Sequence, residues 1–200
     1  MSVRADIPSP LVLASKSPRR AKILSDLGFE FEVFSTESRE VSIPHAPRRT
    51  VTANAALKLA AARALRPGAC ILAADTIVWF DGRIYGKPRD AEEAAEFLRG
   101  LSGNVHTVFT GVAFARPGGK IESEVVCSDV KFRALSEDAI AEYIRRVNPL
   151  DRAGAYDIDE SGDLIVESYT GSYENIMGLP VEPVIAWLRP GHVQPSPAKP

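Results

Sequence analysis

Cys70-Ile71-Leu72-Ala73-Ala74-Asp75-Thr76-Ile77-Val78-Trp79-Phe80-Asp81-Gly82-Arg83-Ile84-Tyr85 is the stretch on which the fold turns. From Cys70 to Phe80 it is apolar and rich in strand formers, which predicts a buried strand. Asp81-Gly82 is a favoured two-residue hairpin turn, because both positions accept the positive φ that matches strand twist, so an antiparallel ribbon through Arg83-Ile84-Tyr85 is expected. One side chain does not suit this strand. Asp75 places an ionisable group in an otherwise continuous apolar run, and burying a lone carboxylate is costly unless it meets a cation, a metal or hydrogen-bond donors. A functional carboxylate and a structural, hydrogen-bonded one are both open readings of it.

Outward from this ribbon, strand-like and helix-like patterns alternate. Leu11-Val12-Leu13-Ala14 suits a short buried strand. Ser17 then serves as an N-cap and Pro18 as the first helical residue, with Ile23, Leu24 and Leu27 as the apolar stripe and Gly28 as the stop. Phe29 to Phe34 alternates like a half-buried strand, a polar loop runs through Pro47, and Thr50 to Leu65 reads as a helix ended by Pro67-Gly68. Asp90 to Glu93 has capping-box spacing before Ala94, Phe97, Leu98 and Leu101. Val105–Ala115 and 121–132 read as a long hairpin, and Ser136 opens a helix with Ile140, Tyr143, Ile144 and Val147 inward. The loop Asp151 to Gly162 leads to a strand at Leu164-Ile165-Val166, and Val181 to Leu188 closes as a helix. Mixing βα units with hairpins predicts an α/β fold, a mixed sheet covered by helices rather than a purely parallel one.

Composition limits what this fold does. The chain has 200 residues, 45% hydrophobic and 25% charged, which suits an ordinary globular core and excludes wholesale disorder. Lys+Arg number 24 against 26 Asp+Glu, a net charge of −2, so no global cationic field is available to hold nucleic acid or an anionic membrane. Any bound anion must therefore meet a local site. No apolar run spans a bilayer, Met1 to Pro10 lacks the apolar centre of a signal peptide, and the two cysteines, Cys70 and Cys127, fit no metal-ligand spacing. A cytoplasmic protein is expected, with a single domain over 11–189 between tails at 1–10 and 190–200.

Local sites are visible. Ser15, Ser17, Arg19 and Arg20 gather hydroxyls and guanidinium groups at a helix N-terminus after a strand, where free amides favour anions. Arginine grips two phosphate oxygens at once, so this segment reads as a di- or triphosphate site or as a capped helix with solvated arginines. Neither a P-loop nor a dinucleotide-binding glycine pattern is present. Lys87, in Gly86-Lys87-Pro88, is a second candidate cation, although a surface lysine would look the same. His106 has no partner histidine in ligand register, so a packing role fits better than a base or a metal ligand. Gly171-Ser172-Tyr173-Glu174-Asn175 reads as a turn dense in hydrogen-bonding groups.

Taken in order, Leu13-Ala14-Ser15-Lys16-Ser17-Pro18-Arg19-Arg20, Ala74-Asp75-Thr76, Gly86-Lys87-Pro88, Leu101-Ser102-Gly103 with His106 and Thr110-Gly111, Arg152-Ala153-Gly154-Ala155-Tyr156, and Gly171-Ser172-Tyr173 with Gly178-Leu179-Pro180 resemble the Maf family of nucleoside triphosphate pyrophosphatases. The resemblance runs from about Leu11 to Leu188. It implies hydrolysis of a nucleotide's α,β-phosphoanhydride to a monophosphate and pyrophosphate, with a divalent cation (Mg²⁺ or Mn²⁺). It also implies an elongated mixed-sheet fold in two lobes around a cleft, shared with inosine triphosphate pyrophosphatases, and a homodimer. Asp75 takes the place of the catalytic aspartate that accepts the water's proton and helps hold the metal. Ser15, Arg20, Lys58 and Lys87 take triphosphate-lining places, and Glu40 that of an acidic residue near the metal, although the family usually has Asp-Glu where this chain has Arg39-Glu40.

Base choice in the family is associated with the places held here by Arg19, Thr76 and Asp159. Arg19 and Thr76 resemble the dTTP and UTP branch. Asp159 departs from it, since that branch usually reads Gly-Ile-Gln where this chain reads Asp157-Ile158-Asp159. A carboxylate only accepts hydrogen bonds, which suits guanine's donors better than uracil's carbonyls. The expected substrates are dTTP and UTP, with 7-methyl-GTP or another modified nucleotide as the alternative. A non-catalytic septum or cell-division regulator is the competing class, and a phosphotransferase the third, for which no acceptor pocket is identifiable.

Overall fold

The computed structural model describes residues 10–35 and 37–189 of the chain. The tails expected at 1–10 and 190–200 lie outside those residues except for Pro10. Strands β1 (Leu11–Ala14), β2 (Glu32–Val33), β3 (Cys70–Phe80), β4 (Arg83–Tyr85), β5 (Val105–Ala115), β6 (Glu122–Phe132) and β7 (Val166–Thr170) form one seven-stranded sheet. Its order is β2-β1-β3-β5-β6-β7, with β4 folded back on β3. β1 runs parallel to β2 and β3, while β3, β5, β6 and β7 pair antiparallel, so the sheet is mixed as expected. The turn between β3 and β4 has Asp81 at φ 46 and Gly82 at φ 74, the two positive angles that the dipeptide predicts. Among the described residues six α-helices cover the sheet: α1 (Pro18–Asp26), α2 (Pro47–Leu65), α3 (Ala91–Leu101), α4 (Glu137–Val147), α5 (Tyr173–Ile176) and α6 (Val181–Leu188). No helix among the described residues is long and apolar enough to cross a membrane.

The core comes in three parts, and their division locates the site. Alternate residues of β1 and β3 point to opposite faces. Leu11, Leu13, Leu72 and Ala74 join α1 and α6 on one face, while Val12, Ala14, Ile71 and Ala73 meet Ala55, Leu59 and Ala62 of α2 on the other. Further along the same long strands, Val78 and Val108 pack with Phe97, Leu101, Ile140 and Tyr143 of α3 and α4. Asp75, Thr76 and Ile77 therefore fall where one core gives way to the next. By the same alternation Asp75 faces α2 with Ile71 and Ala73, and Thr76 faces α1 with Leu72 and Ala74.

Gly111 sets how closely α2 approaches that point. It lies beside Asp75 in the β3–β5 register, and a Cβ built on it would stand 2.6 Å from Val51 O and 3.0 Å from Thr52 N, backbone atoms of α2. Helix backbone cannot yield locally as a side-chain tip can, so Gly111→Ala should lift α2 off β5. The expected cost is about 3 kcal/mol, at the upper end for overpacking, measured by urea unfolding. An undiminished midpoint would show that the close approach is not needed.

Four expectations are corrected. The strand at Phe29 to Phe34 shrinks to Glu32–Val33, because β2 is an edge strand pairing only with β1 at two positions, and Val33 is exposed. The helix expected from Thr50 begins at Pro47, whose fixed φ suits a first helical position. The strand placed at Leu164-Ile165-Val166 begins only at Val166, since Gly162–Leu164 coil as a 3₁₀ turn. The turn at Gly171 to Asn175 holds the short helix α5, capped by Ser172 Oγ accepting from Asn175 N.

Candidate active site

A cleft of about 1130 Å³ opens where the core parts meet. It is larger than most small-molecule pockets and has room for a nucleotide. Of the residues singled out in the sequence, Ser15, Arg19, Arg20, Glu40, Lys58, Asp75, Thr76 and Lys87 all line it. Asp159 does not.

Asp75 is 5% exposed, and its burial is answered by donors from α2. Lys58 Nζ donates to Asp75 Oδ1 at 2.6 Å, and Asn54 Nδ2 donates to Asp75 Oδ2 at 3.0 Å. Asn54 and Lys58 stand four residues apart, so one helix face presents both. Asn54 also accepts from Val41 N at 2.8 Å and donates to Val41 O at 3.0 Å, which fixes the loop carrying Glu40. Glu40 Oε1 lies 2.8 Å from the same Lys58 Nζ. Two carboxylates thus converge on one cation position. The Lys58 ammonium holds the Glu40 carboxyl below its ordinary value against the opposing effect of burial.

The opposite wall starts from α1. Ser17 caps the helix, its Oγ accepting from Arg20 N, and its own N–H reaches Ser15 Oγ at 3.1 Å. The Arg20 guanidinium donates through Nε to Gly178 O at 2.7 Å, through Nη1 to Ser15 Oγ at 3.2 Å and through Nη2 to Thr76 Oγ1 at 2.9 Å. Thr76 Oγ1 lies 3.0 Å from Thr110 Oγ1, which in turn donates to Asn175 O at 3.1 Å. All these acceptors are neutral, so among the described residues no carboxylate is in direct contact with the charge of Arg20. Burial lowers its pKa, as it does that of Lys87.

Arg19 points to a different partner. Its Nη1 donates to Asp157 Oδ2 at 3.3 Å, and Arg152 Nε donates to the same oxygen at 2.9 Å. Asp157 Oδ1 accepts from Asp159 N at 3.0 Å, and its backbone is pinned by the Tyr143 hydroxyl. Asp159 itself is exposed and takes the Tyr173 hydroxyl on Oδ1 at 3.0 Å. His106 lies in the α3–α4 part of the core, its Nε2 2.9 Å from the Tyr156 hydroxyl and its ring edge-on to Phe132. Burial lowers its pKa to about 3, so it is neutral near pH 7 and packs rather than catalyses.

Asn54, Thr110, Asp157 and Gly178 belong to the candidate site and had no role in the sequence reading, although the last three stand in stretches quoted there. Asn54 left a signal, being a polar residue one helical turn before Lys58. Gly178 and Thr110 act through a carbonyl and a neighbouring hydroxyl, which no side-chain pattern displays.

A family model described as Maf-like protein matches residues 10–190. A dTTP/UTP pyrophosphatase of Akkermansia muciniphila is 39% identical over 182 residues, which cover 90% of this chain and 95% of that protein. Another, from Desulfitobacterium hafniense, is 44% identical over 179 residues, 86% of this chain and 81% of that protein. Among solved structures, a nucleoside-triphosphatase described as a dITP/XTP pyrophosphatase, from Mycobacterium abscessus, is 18% identical with a TM-score of 0.42, covering 63% of this chain and 75% of that one.

Proposed function

This chain belongs to the Maf family, and we propose that it is a nucleoside triphosphate pyrophosphatase acting on dTTP and UTP at the cleft around Asp75. The observation that carries the reading is a buried carboxylate on β3 sharing one cleft with Arg20, Lys58 and Lys87. Three cations and a helix N-terminus suit a triphosphate, whose charge must be offset before water can attack.

In the proposed mechanism Ser15, Arg20, Lys58 and Lys87 bind the phosphates, and Asp75 orients a water against the α-phosphorus. The water's oxygen forms the new bond to phosphorus, Asp75 accepts its proton, and the bond to the bridging oxygen of the β-phosphate breaks. The products are the nucleoside monophosphate and pyrophosphate. Asn54 keeps Asp75 Oδ2 in place, and Oδ1, which Lys58 holds, is the oxygen that takes the proton.

Glu40 and Asp75 fit a divalent cation. Their oxygens converge on the Lys58 ammonium, and two hard carboxylate oxygens are donors of the type that Mg²⁺ and Mn²⁺ take, with waters and phosphate needed to complete the set. When bound, such an ion offsets phosphate charge and polarises phosphorus.

The test is pyrophosphate release from dTTP, UTP, CTP, GTP, 7-methyl-GTP and ITP with Mg²⁺ or Mn²⁺, before and after chelation. Release from dTTP and UTP that falls at least tenfold with chelator is the expected result. Release confined to 7-methyl-GTP overturns the substrate, and none from any nucleotide overturns the reaction. Two unpaired cysteines and a nucleotide substrate support a cytoplasmic enzyme. The homodimer implied by the family is checked by light scattering, which should give twice the chain mass.

A further inference from the structure

The charged groups of the cleft fall into two sets that meet at α1. Lys87 has Glu40, Arg20 and Lys58 as its main charged neighbours, the phosphate side of the proposed reaction. Arg19 instead has Arg152, Asp157 and Glu160. The same cleft is also lined by Val78, Ile158, Ile176 and Met177, apolar side chains of the kind that a slot for a ring uses.

In this second set the Asp157 carboxylate is largely committed. Oδ2 holds both guanidinium groups, Oδ1 holds the Asp159 N–H, and the side chain is 5% exposed. Arg19 is the reverse. Its side chain is 23% exposed, and among the described residues only Nη1 has a protein hydrogen-bond partner, so Nε and Nη2 remain as donors. The exposed Asp159 carboxylate is engaged by Tyr173 and does not line the cleft.

We infer that Asp157 is a positioning residue that sets base choice: by clamping Arg19 it presents guanidinium N–H groups to a base edge made of carbonyls. Uracil and thymine carry an acceptor oxygen at C4, where cytosine carries an amino donor that Arg19 repels. The slot therefore offers donors to the base, and the carboxylate that replaces the expected amide at Asp159 has no part in reading it. Without Asp157, Arg19 loses its anchor and faces the like charge of Arg152, so it is no longer held in the slot.

The inference rests on the pyrophosphatase reading, and the experiment separates the two. KM and kcat are measured on UTP and CTP by pyrophosphate release, with thermal melting alongside. If the unaltered protein releases no pyrophosphate from UTP, the pyrophosphatase reading fails and the inference falls with it. Given release, Asp157→Asn should raise KM for UTP about tenfold, leave kcat within twofold and shrink the preference for UTP over CTP about tenfold. In an Arg19→Gln background, Asp157→Asn should change KM less than twofold, because the residue it acts through is gone. Asp157→Ser, a smaller acceptor, replaces the Asn variant if that one does not fold. The inference is overturned if KM for UTP stays within twofold, or if kcat falls equally on both nucleotides with a lowered melting temperature. It is also overturned if the effect persists without Arg19, or if Asp159→Asn and not Asp157→Asn moves KM.

Discussion

Asp75→Asn is expected to lower kcat for pyrophosphate release from UTP by about a thousandfold or more while leaving the protein folded. The substitution keeps the shape of the side chain and removes its proton-accepting charge, and a positioned base together with charge stabilisation contributes on that order. Folding should survive because the donors around Asp75 keep partners. Lys58 retains Glu40 at 2.8 Å, and Asn54 retains both hydrogen bonds to Val41. Breaking a buried ion pair is strongly destabilising when one charge is left alone, which is not the case here. A melting temperature within about 5 °C of the original is expected, equivalent to roughly 1–2 kcal/mol for a chain of this size. A variant that keeps a tenth of the original kcat would take Asp75 out of the proton transfer.

How far the site could be read in advance depended on whether a residue's partner was local. Ser17 caps α1 and Asp90 caps α3 through bonds three residues away, and both were legible because the cap and its amide share one turn. Asp75 was legible for another reason, as the lone charge in an apolar strand. Its partners Asn54 and Lys58 come from a helix 17 to 21 residues earlier, brought in by Gly111, whose missing side chain says nothing until α2 is seen against it. The apolar run Leu164-Ile165-Val166 places the strand at Val166–Thr170 too early, because the strand's own later residues carry no apolar pattern. It is an edge strand whose residues from Glu167 on are exposed, so only Val166 at its start packs on the core. Asp157 and Asp159 were indistinguishable as types two residues apart. Only the loop's path, with Asp157 facing Arg19 and Asp159 facing Tyr173, gives them different work.

Arg20→Ala should act in the opposite sense to Asp75→Asn, on binding more than on chemistry. We expect kcat/KM for UTP to fall about a hundredfold to a thousandfold, carried mainly by KM, a loss of roughly 3–4 kcal/mol. Stability should move little, because two effects oppose each other. The variant gives up hydrogen bonds to Gly178 O, Ser15 Oγ and Thr76 Oγ1, the last of which ties α1 to β3. It also removes a cation whose desolvation is answered only by neutral acceptors, and a charge kept in that condition is costly to the ligand-free fold. A guanidinium held rigidly by three neutral oxygens, with no carboxylate in contact, is preorganised for an anion that arrives later. Arg20→Lys separates charge from geometry: it keeps the cation but cannot hold three acceptors and a phosphate together, so it should recover only part of the loss. If Arg20→Ala leaves both KM and kcat within twofold and instead lowers the melting temperature, Arg20 is a structural tie between α1 and β3, and the anion is bound by Lys58 and Lys87 alone.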